Sequence, residues 1–145
     1  MPSHLYKYPF FSPPGRLAGP YLPIKITNPW TKKSLEWYCL VDSGADTCLF
    51  TATVVKIVGH NLAGKSVKSS ITRGIEGRTV RTWQHSFIIS LLHPVKSDMT
   101  VWQSKKTLID CIEHDDCPLL LGVGDFLVNF RVTLDYRKKL TILQW

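Results

Sequence analysis

Residues 38–50 run Tyr-Cys-Leu-Val-Asp-Ser-Gly-Ala-Asp-Thr-Cys-Leu-Phe, and the fold follows from how this stretch is understood. A near-continuous apolar run, Trp37 to Val41, ends in Asp42 and is followed by Ser43, Gly44 and Ala45. Such a run predicts a strand buried on both faces. Gly44 permits a sharp turn that a side chain would obstruct. The expected product is a carboxylate at the tip of a buried strand, in a tight loop. Hiding a carboxylate from water is costly unless it is partnered. Asp42 is therefore expected either to be paired for structure or to do chemistry.

On the N-terminal side, Leu22, Ile24 and Ile26 alternate with Pro23, Lys25 and Thr27. That is the period of a half-buried strand, with Pro23 suited to an edge or a strand start. Asn28–Lys33 is turn-like. Tyr21–Thr27 and Leu35–Val41 thus form a hairpin that delivers Asp42. Residues 1–20 carry Pro2, Pro9, Pro13, Pro14 and Pro20 interleaved with Tyr6, Tyr8, Phe10 and Phe11. This predicts an extended arm packed on its own domain or on a neighbouring subunit, because prolines oppose helix and disordered segments are poor in aromatics.

On the C-terminal side, Thr51–Val58 is expected to form two helical turns, with Thr51 as N-cap and Gly59 as the stop. Ser66–Thr72 and Thr79–Leu91 form a long hairpin around the tip Arg73-Gly74-Ile75-Glu76-Gly77-Arg78. Met99–Ser104 and Lys106–Ile112 are weaker strands. A second apolar run, Leu119–Leu121, closes in Gly122-Val123-Gly124-Asp125, where Asp125 is expected to cap a short helix over Phe126–Asn129. Phe130–Tyr136 alternates, Arg137–Lys139 turns the chain, and Leu140–Leu143 makes a last strand. The pattern of a strand, a Gly-containing turn and a short helix occurs twice, at 37–58 and at 119–129. The fold class is all-β, a small closed or partly open barrel with one or two short helices.

The chain has 145 residues, enough for one domain over 21–145 behind the arm at 1–20. No stretch approaches the roughly 18 apolar residues of a membrane span. The N-terminus lacks a basic-then-apolar signal pattern, so a cytoplasmic location and four free cysteines are expected. The net charge of +7 is spread along the chain, which fits a solvated basic surface rather than a nucleic-acid site.

Leu40-Val41-Asp42-Ser43-Gly44-Ala45-Asp46 resembles the active-site motif of the retropepsin-like aspartic proteases. Leu120-Leu121-Gly122, followed by Asp125-Phe126-Leu127, resembles the second motif of that family. The 73–78 tip lies between them, where the family carries its flap. The closing segment Phe130–Tyr136 is most similar to the bacterial single-domain members. One departure stands out. Val123-Gly124 occupies the place of an arginine that in retroviral members pairs with the position of Asp46.

The resemblance implies an aspartic endopeptidase without cofactor or metal, acting on peptide or protein substrates. One Asp-Ser-Gly motif supplies one carboxylate per chain, and this chemistry needs two. The implied enzyme is a two-fold homodimer with Asp42 from each subunit at the axis. Ser43 and Gly44 would hold the two loops together, and Gly122 would back them. Ala45 and Asp46 would line the substrate channel, and Gly74, Ile75, Glu76 and Gly77 would close over the peptide. The terminal strands, including Leu140–Trp145, are candidates for sheet shared between subunits.

Other readings compete. A module of this fold could bind peptide without cutting it. Asp42 could merely cap a turn. Ser43 as a nucleophile needs a histidine base, and no motif selects among His60, His85, His93 and His114. Cys111, His114 and Cys117 have metal-like spacing but lack a local fourth ligand, so they are assigned to a surface loop.

Overall fold

The computed structural model describes residues 3–73 and 77–145, so the candidate lid residues Gly74, Ile75 and Glu76 lie outside the described residues. The strands are β1 (Leu5–Pro9), β2 (Tyr21–Thr27), β3 (Ser34–Val41), β4 (Leu49–Phe50), β5 (Ser69–Arg73), β6 (Thr79–Leu92), β7 (Thr100–Gln103), β8 (Thr107–Cys111), β9 (Leu120–Leu121), β10 (Arg131–Asp135) and β11 (Leu140–Gln144). One α-helix, α1 (Ala52–Ile57), follows β4, and a 3-10 turn covers Leu127–Asn129. No helix among the described residues is long and apolar enough to cross a membrane.

The strands β2, β3, β9, β4, β8 and β6 pair in that order, and β6 returns to β2. The sheet therefore closes on itself, as expected for a small barrel. Closure satisfies backbone groups that an open edge would leave free. Alternation along β2 sends Leu22, Ile24 and Ile26 inward, and β6 adds Phe87, Ile89 and Leu91, all fully buried. Phe50, Ile109, Leu121 and Phe126 complete the core. The long strand β6 pairs with β5 over Ser69–Arg73, so the expected long hairpin is present up to its tip.

The terminal segments make a second, three-stranded sheet in the order β1-β11-β10. Strand β11 is paired on both sides within the chain, so among the described residues the free edges of this sheet are those of β1 and β10. This sheet ties down residues 4–10. Tyr8 is buried, and its hydroxyl donates to the carbonyl of Leu92 at 2.7 Å. The Phe126, Phe130 and Trp145 rings lie 4.9 and 5.2 Å apart in sequence, linking barrel to terminal sheet.

Several local expectations are corrected. The run Trp37–Val41 is not buried on both faces. Cys39 and Val41 are buried, but Trp37 is 60% and Tyr38 41% exposed. Only the last residues of β3 gain a second neighbour, β9, and the earlier part has β2 alone. Thr51 stands at the N-cap of α1 without making the cap hydrogen bond. Asp115 replaces it, accepting from the Thr53 N–H at 3.0 Å and the Thr53 hydroxyl at 2.7 Å. These hydrogen bonds hold the Asp115 carboxyl below its usual range. Cys111 is buried at the end of β8 rather than in a surface loop. Burial raises the pKa of its thiol and that of Cys39, keeping both neutral.

His85 interrupts the apolar face of β6 and is nonetheless buried. Its Nε2 donates to the Leu62 carbonyl at 2.9 Å, while His60 Nε2 donates to the Ser86 carbonyl at 2.8 Å. The two rings lie 4.6 Å apart. Burial pushes the His85 pKa below its ordinary value, and His60 acts in the same direction against the opposing bond to Leu62. The unfolded chain therefore binds the proton more readily, and stability rises with pH. This contribution is complete above the ordinary histidine pKa of about 6.5 and is lost as pH falls through the folded-state value. His85→Gln should flatten the thermal-midpoint profile below about pH 6.5. An unchanged slope would assign the acid sensitivity to another group.

Candidate active site

The two motif strands meet at their ends. Leu40 pairs with Leu120 and Val41 with Leu121 in parallel, and the Asp42 N–H donates to the Leu121 carbonyl at 3.1 Å. Beyond this point the chains cross. Val123 N–H donates to the Ala45 carbonyl at 2.9 Å, and Gly124 N–H to the Asp46 carbonyl at 2.7 Å. The Leu127 N–H returns to the Gly122 carbonyl at 3.0 Å. Segment 122–124 thus backs residues 45–47 of the loop.

Gly122 is buried at this crossing, and a Cβ there would fall inside the backbone of Thr47, overlapping its carbonyl carbon and oxygen. Glycine is required for close approach of two backbones. Gly44 is glycine for a related reason and not for a left-handed φ. A Cβ at Gly44 would press on Asp42 Oδ1 at 3.3 Å. Its absence leaves room for the carboxylate, to which the Gly44 N–H donates at 2.9 Å.

Asp42 is half-buried rather than hidden. Among the described residues, its carboxylate makes one hydrogen bond, the one from Gly44. Ser43 and Gly44 are exposed beside it, Ala45 is half-buried and Asp46 is exposed. Asp46 is tied to the site by its backbone carbonyl. Its side chain has no hydrogen bond or ion pair among the described residues, so it is solvated where the arginine is missing. Gly77 falls at the far end of the β5–β6 hairpin. The structure brings Asp42, Ser43, Gly44, Ala45, Asp46 and Gly122 into one backbone crossing.

Asp125 departs from its expected role. The 3-10 turn begins after Phe126, and Asp125 does not cap it. Both carboxylate oxygens instead accept from the Cys48 N–H, at 2.9 and 3.0 Å. A charge-assisted bond of this kind is stronger than a neutral one. It clamps the far end of the Asp42 loop to the second motif. Cys48 is fully buried, and its Sγ accepts from the Gly122 N–H at 3.4 Å. Burial, reinforced by the Asp125 carboxylate, raises the thiol pKa, so Cys48 packs as a small neutral group. Thr47 closes the loop by donating to Asp110 Oδ2 at 3.0 Å. Sequence reasoning missed Asp110 and took Asp125 for a local cap.

No protein-family model matches the chain, and no curated protein matches it by sequence. Solved structures do match. One is the crystal structure of a retropepsin-like aspartic protease from Rickettsia conorii, with a TM-score of 0.57 at 16% identity. That likeness covers 100% of this chain and 95% of the other. The closed all-β barrel, the crossed motif strands and this structural likeness lead to one conclusion: the chain has the fold of the retropepsin-like aspartic proteases.

Proposed function

We propose that this protein is an aspartic endopeptidase that cuts peptide bonds as a two-fold homodimer, with Asp42 from each subunit forming the catalytic pair. The observation that carries this reading is the state of Asp42. One carboxylate oxygen is held by the Gly44 N–H beside the hydrogen-bonded backbone crossing, and Ser43 and Gly44 next to it are exposed. Two carboxylates brought together on the axis cannot both ionise and therefore share a proton. The ionised member takes a proton from a water, which attacks the scissile carbonyl. The protonated member polarises that carbonyl, and the departing amine takes the proton as the bond breaks.

Ser43 would bond across the axis between the two loops. Ala45 and Asp46 would flank the peptide, which would lie as an added strand. The hairpin tip from Gly74 through Ile75 and Glu76 to Gly77 would close over it and exclude water. β11 is already paired on both sides, so in such a dimer the contact would fall on the Asp42 loops and on the β1 or β10 edges.

A mixing experiment tests the shared site. Wild-type and Asp42→Asn chains, refolded together at fixed total concentration, form mixed dimers with one competent carboxylate. Peptidase activity should fall as the square of the wild-type fraction. A linear decline would mean that each chain carries a complete site, and the homodimer mechanism would be wrong.

A further inference from the structure

The excess positive charge is spread along the sequence but gathered in space. Residues 28–35, 47–73 and 99–109 contain no aspartate or glutamate, and they carry Lys32, Lys33, Lys56, Lys65, Lys68, Lys105 and Lys106. These seven lysines equal the net charge of +7, so the rest of the chain is balanced. The fold brings the three segments together around Trp30. The Lys106 ammonium lies 4.3 Å from the centre of the Trp30 ring. Trp30, Val67, Lys68 and Leu108 line one open hollow of about 320 Å³, with His60 beside them. The Thr31 hydroxyl donates to the Val58 carbonyl at 2.9 Å, which pins the β2–β3 turn to the end of α1, one turn beyond Lys56. All seven lysines are exposed, and none forms an ion pair among the described residues.

Trp30 is 66% exposed, and the turn is built to hold it there. Asn28 is buried beneath it. Its Oδ1 accepts from the Trp30 N–H at 2.9 Å and the Thr31 N–H at 3.3 Å, and its Nδ2 donates to the Val58 carbonyl at 2.9 Å. Leu108 is exposed in the same hollow, and Ile57 is exposed one residue before Val58. Single exposed apolar residues are ordinary. Here an aromatic and an aliphatic side chain share one hollow, set among lysines that have no acidic partner.

We propose that this face docks the protein on an anionic lipid surface, with the seven lysines against the headgroups and Trp30 and Leu108 set into the boundary below them. Lysines near an anionic bilayer each add to the attraction, and their apolar stems can lie along the interface while the ammonium stays in water. Tryptophan favours that depth because its ring is apolar and its N–H is polar. The docking face is distinct from the Asp42 loop. The two stand at opposite ends of β3, whose length is roughly 26 Å at the rise of a strand, so a docked chain keeps that loop in water.

The make-up of the face favours lipid over nucleic acid. Its cations on the page are lysines, which act as point charges, whereas the planar fork of arginine suits phosphate and base edges. A single-stranded nucleic acid is held by successive aromatic platforms. This face offers the one ring of Trp30, over which Lys106 already lies. Exposed Leu108 and Ile57 gain from an acyl boundary and gain little from a sugar-phosphate chain. Asp110, two residues beyond Leu108, does not oppose the charge freely. Its carboxylate is engaged by the Thr47 hydroxyl at 3.0 Å and by the Gln84 amide at 3.4 Å.

Vesicle sedimentation tests the face without any use of peptide cleavage. Wild-type protein is mixed with vesicles of phosphatidylcholine alone, or of two parts phosphatidylcholine to one part phosphatidylglycerol. Partitioning onto the anionic vesicles should be stronger by about tenfold or more, and should weaken as salt is raised. Replacing Lys105 and Lys106 together by glutamine should lower it by about tenfold or more. Replacing Lys138 and Lys139, in the turn between β10 and β11, removes the same charge elsewhere and should change it by less than about twofold. Trp30→Ser leaves the charge intact and should weaken partitioning by roughly tenfold. Leu108→Ser gives a second reading of the apolar contact if Trp30→Ser folds poorly. Equal partitioning onto both vesicles overturns the proposal. So does equal loss from the two lysine pairs, which would mean that net charge alone is read. Unchanged partitioning in both serine variants overturns it as well. Binding to an oligothymidylate with none to the anionic vesicles would overturn the lipid surface in favour of nucleic acid.

Discussion

Asp42→Asn is expected to lower peptide hydrolysis by about 10³-fold or more while leaving the fold in place. The substitution changes the chemistry and almost nothing else. The amide oxygen of asparagine can still accept from the Gly44 N–H, so the local hydrogen bond is retained. Asp42 is half-buried and forms no ion pair among the described residues, so little stability depends on its charge. The change in unfolding free energy should stay within about 1 kcal/mol. What is lost is a group that can take and return a proton at the scissile bond. The assay is cleavage of a fluorogenic peptide library across acidic to neutral pH, read beside the far-ultraviolet spectrum and thermal midpoint. Full activity in Asp42→Asn would exclude the aspartic mechanism. A variant that unfolds would show that Asp42 is held for structure.

Gly122→Ala should have the largest effect on stability, a loss of about 3 kcal/mol or more. A methyl at this position has no space, because the backbone of Thr47 already occupies it. Backbone cannot rotate away as a flexible side chain can. The strands must separate, and the bonds from Val123 to Ala45 and from Gly124 to Asp46 would lengthen with them. Urea denaturation would report the loss as a lower midpoint. Gly64→Ala is a useful control, since its new Cβ would meet the Val67 side chain at 3.3 Å. That substitution should change stability by less than about 1 kcal/mol. Equal midpoints for Gly122→Ala and wild type would mean that the 42–47 loop and the second motif are not tightly crossed.

These two residues were legible from the chain alone, because their neighbours in sequence carry the signal. Asp42 follows an apolar run and precedes small residues, and Gly122 ends a second such run. The β2–β3 hairpin and the alternation of β6 were legible for the same reason. The depth of burial was not. Trp37 and Tyr38 have the composition of a buried strand, yet they lie where β3 has only one neighbour. Apolar composition reports a tendency to be covered, and the covering element must still be supplied by the fold.

The polar groups show the same boundary. Asp125 and Thr51 each sit where a local helix cap is expected, and neither makes one. Asp125 instead serves Cys48, 77 residues away, and the N-terminus of α1 is served by Asp115, 62 residues from Thr53. A carboxylate must find donors, but nothing in its immediate sequence says which donors will be near. His85 likewise interrupts an apolar face in sequence. The carbonyl of Leu62, brought close by the closing barrel, allows it to be buried.

By itself the sequence determined the strand periods, the two glycine-ended motifs and the all-β barrel class, because each depends on residues within a few positions of one another. The tertiary structure alone decided that β1 fills one side of β11, that Asp125 clamps the Asp42 loop, and that Phe11 folds back onto Tyr38. Those contacts join segments far apart in the chain. Their partners are selected by which surfaces the closed barrel brings together, and local propensity carries no record of that choice.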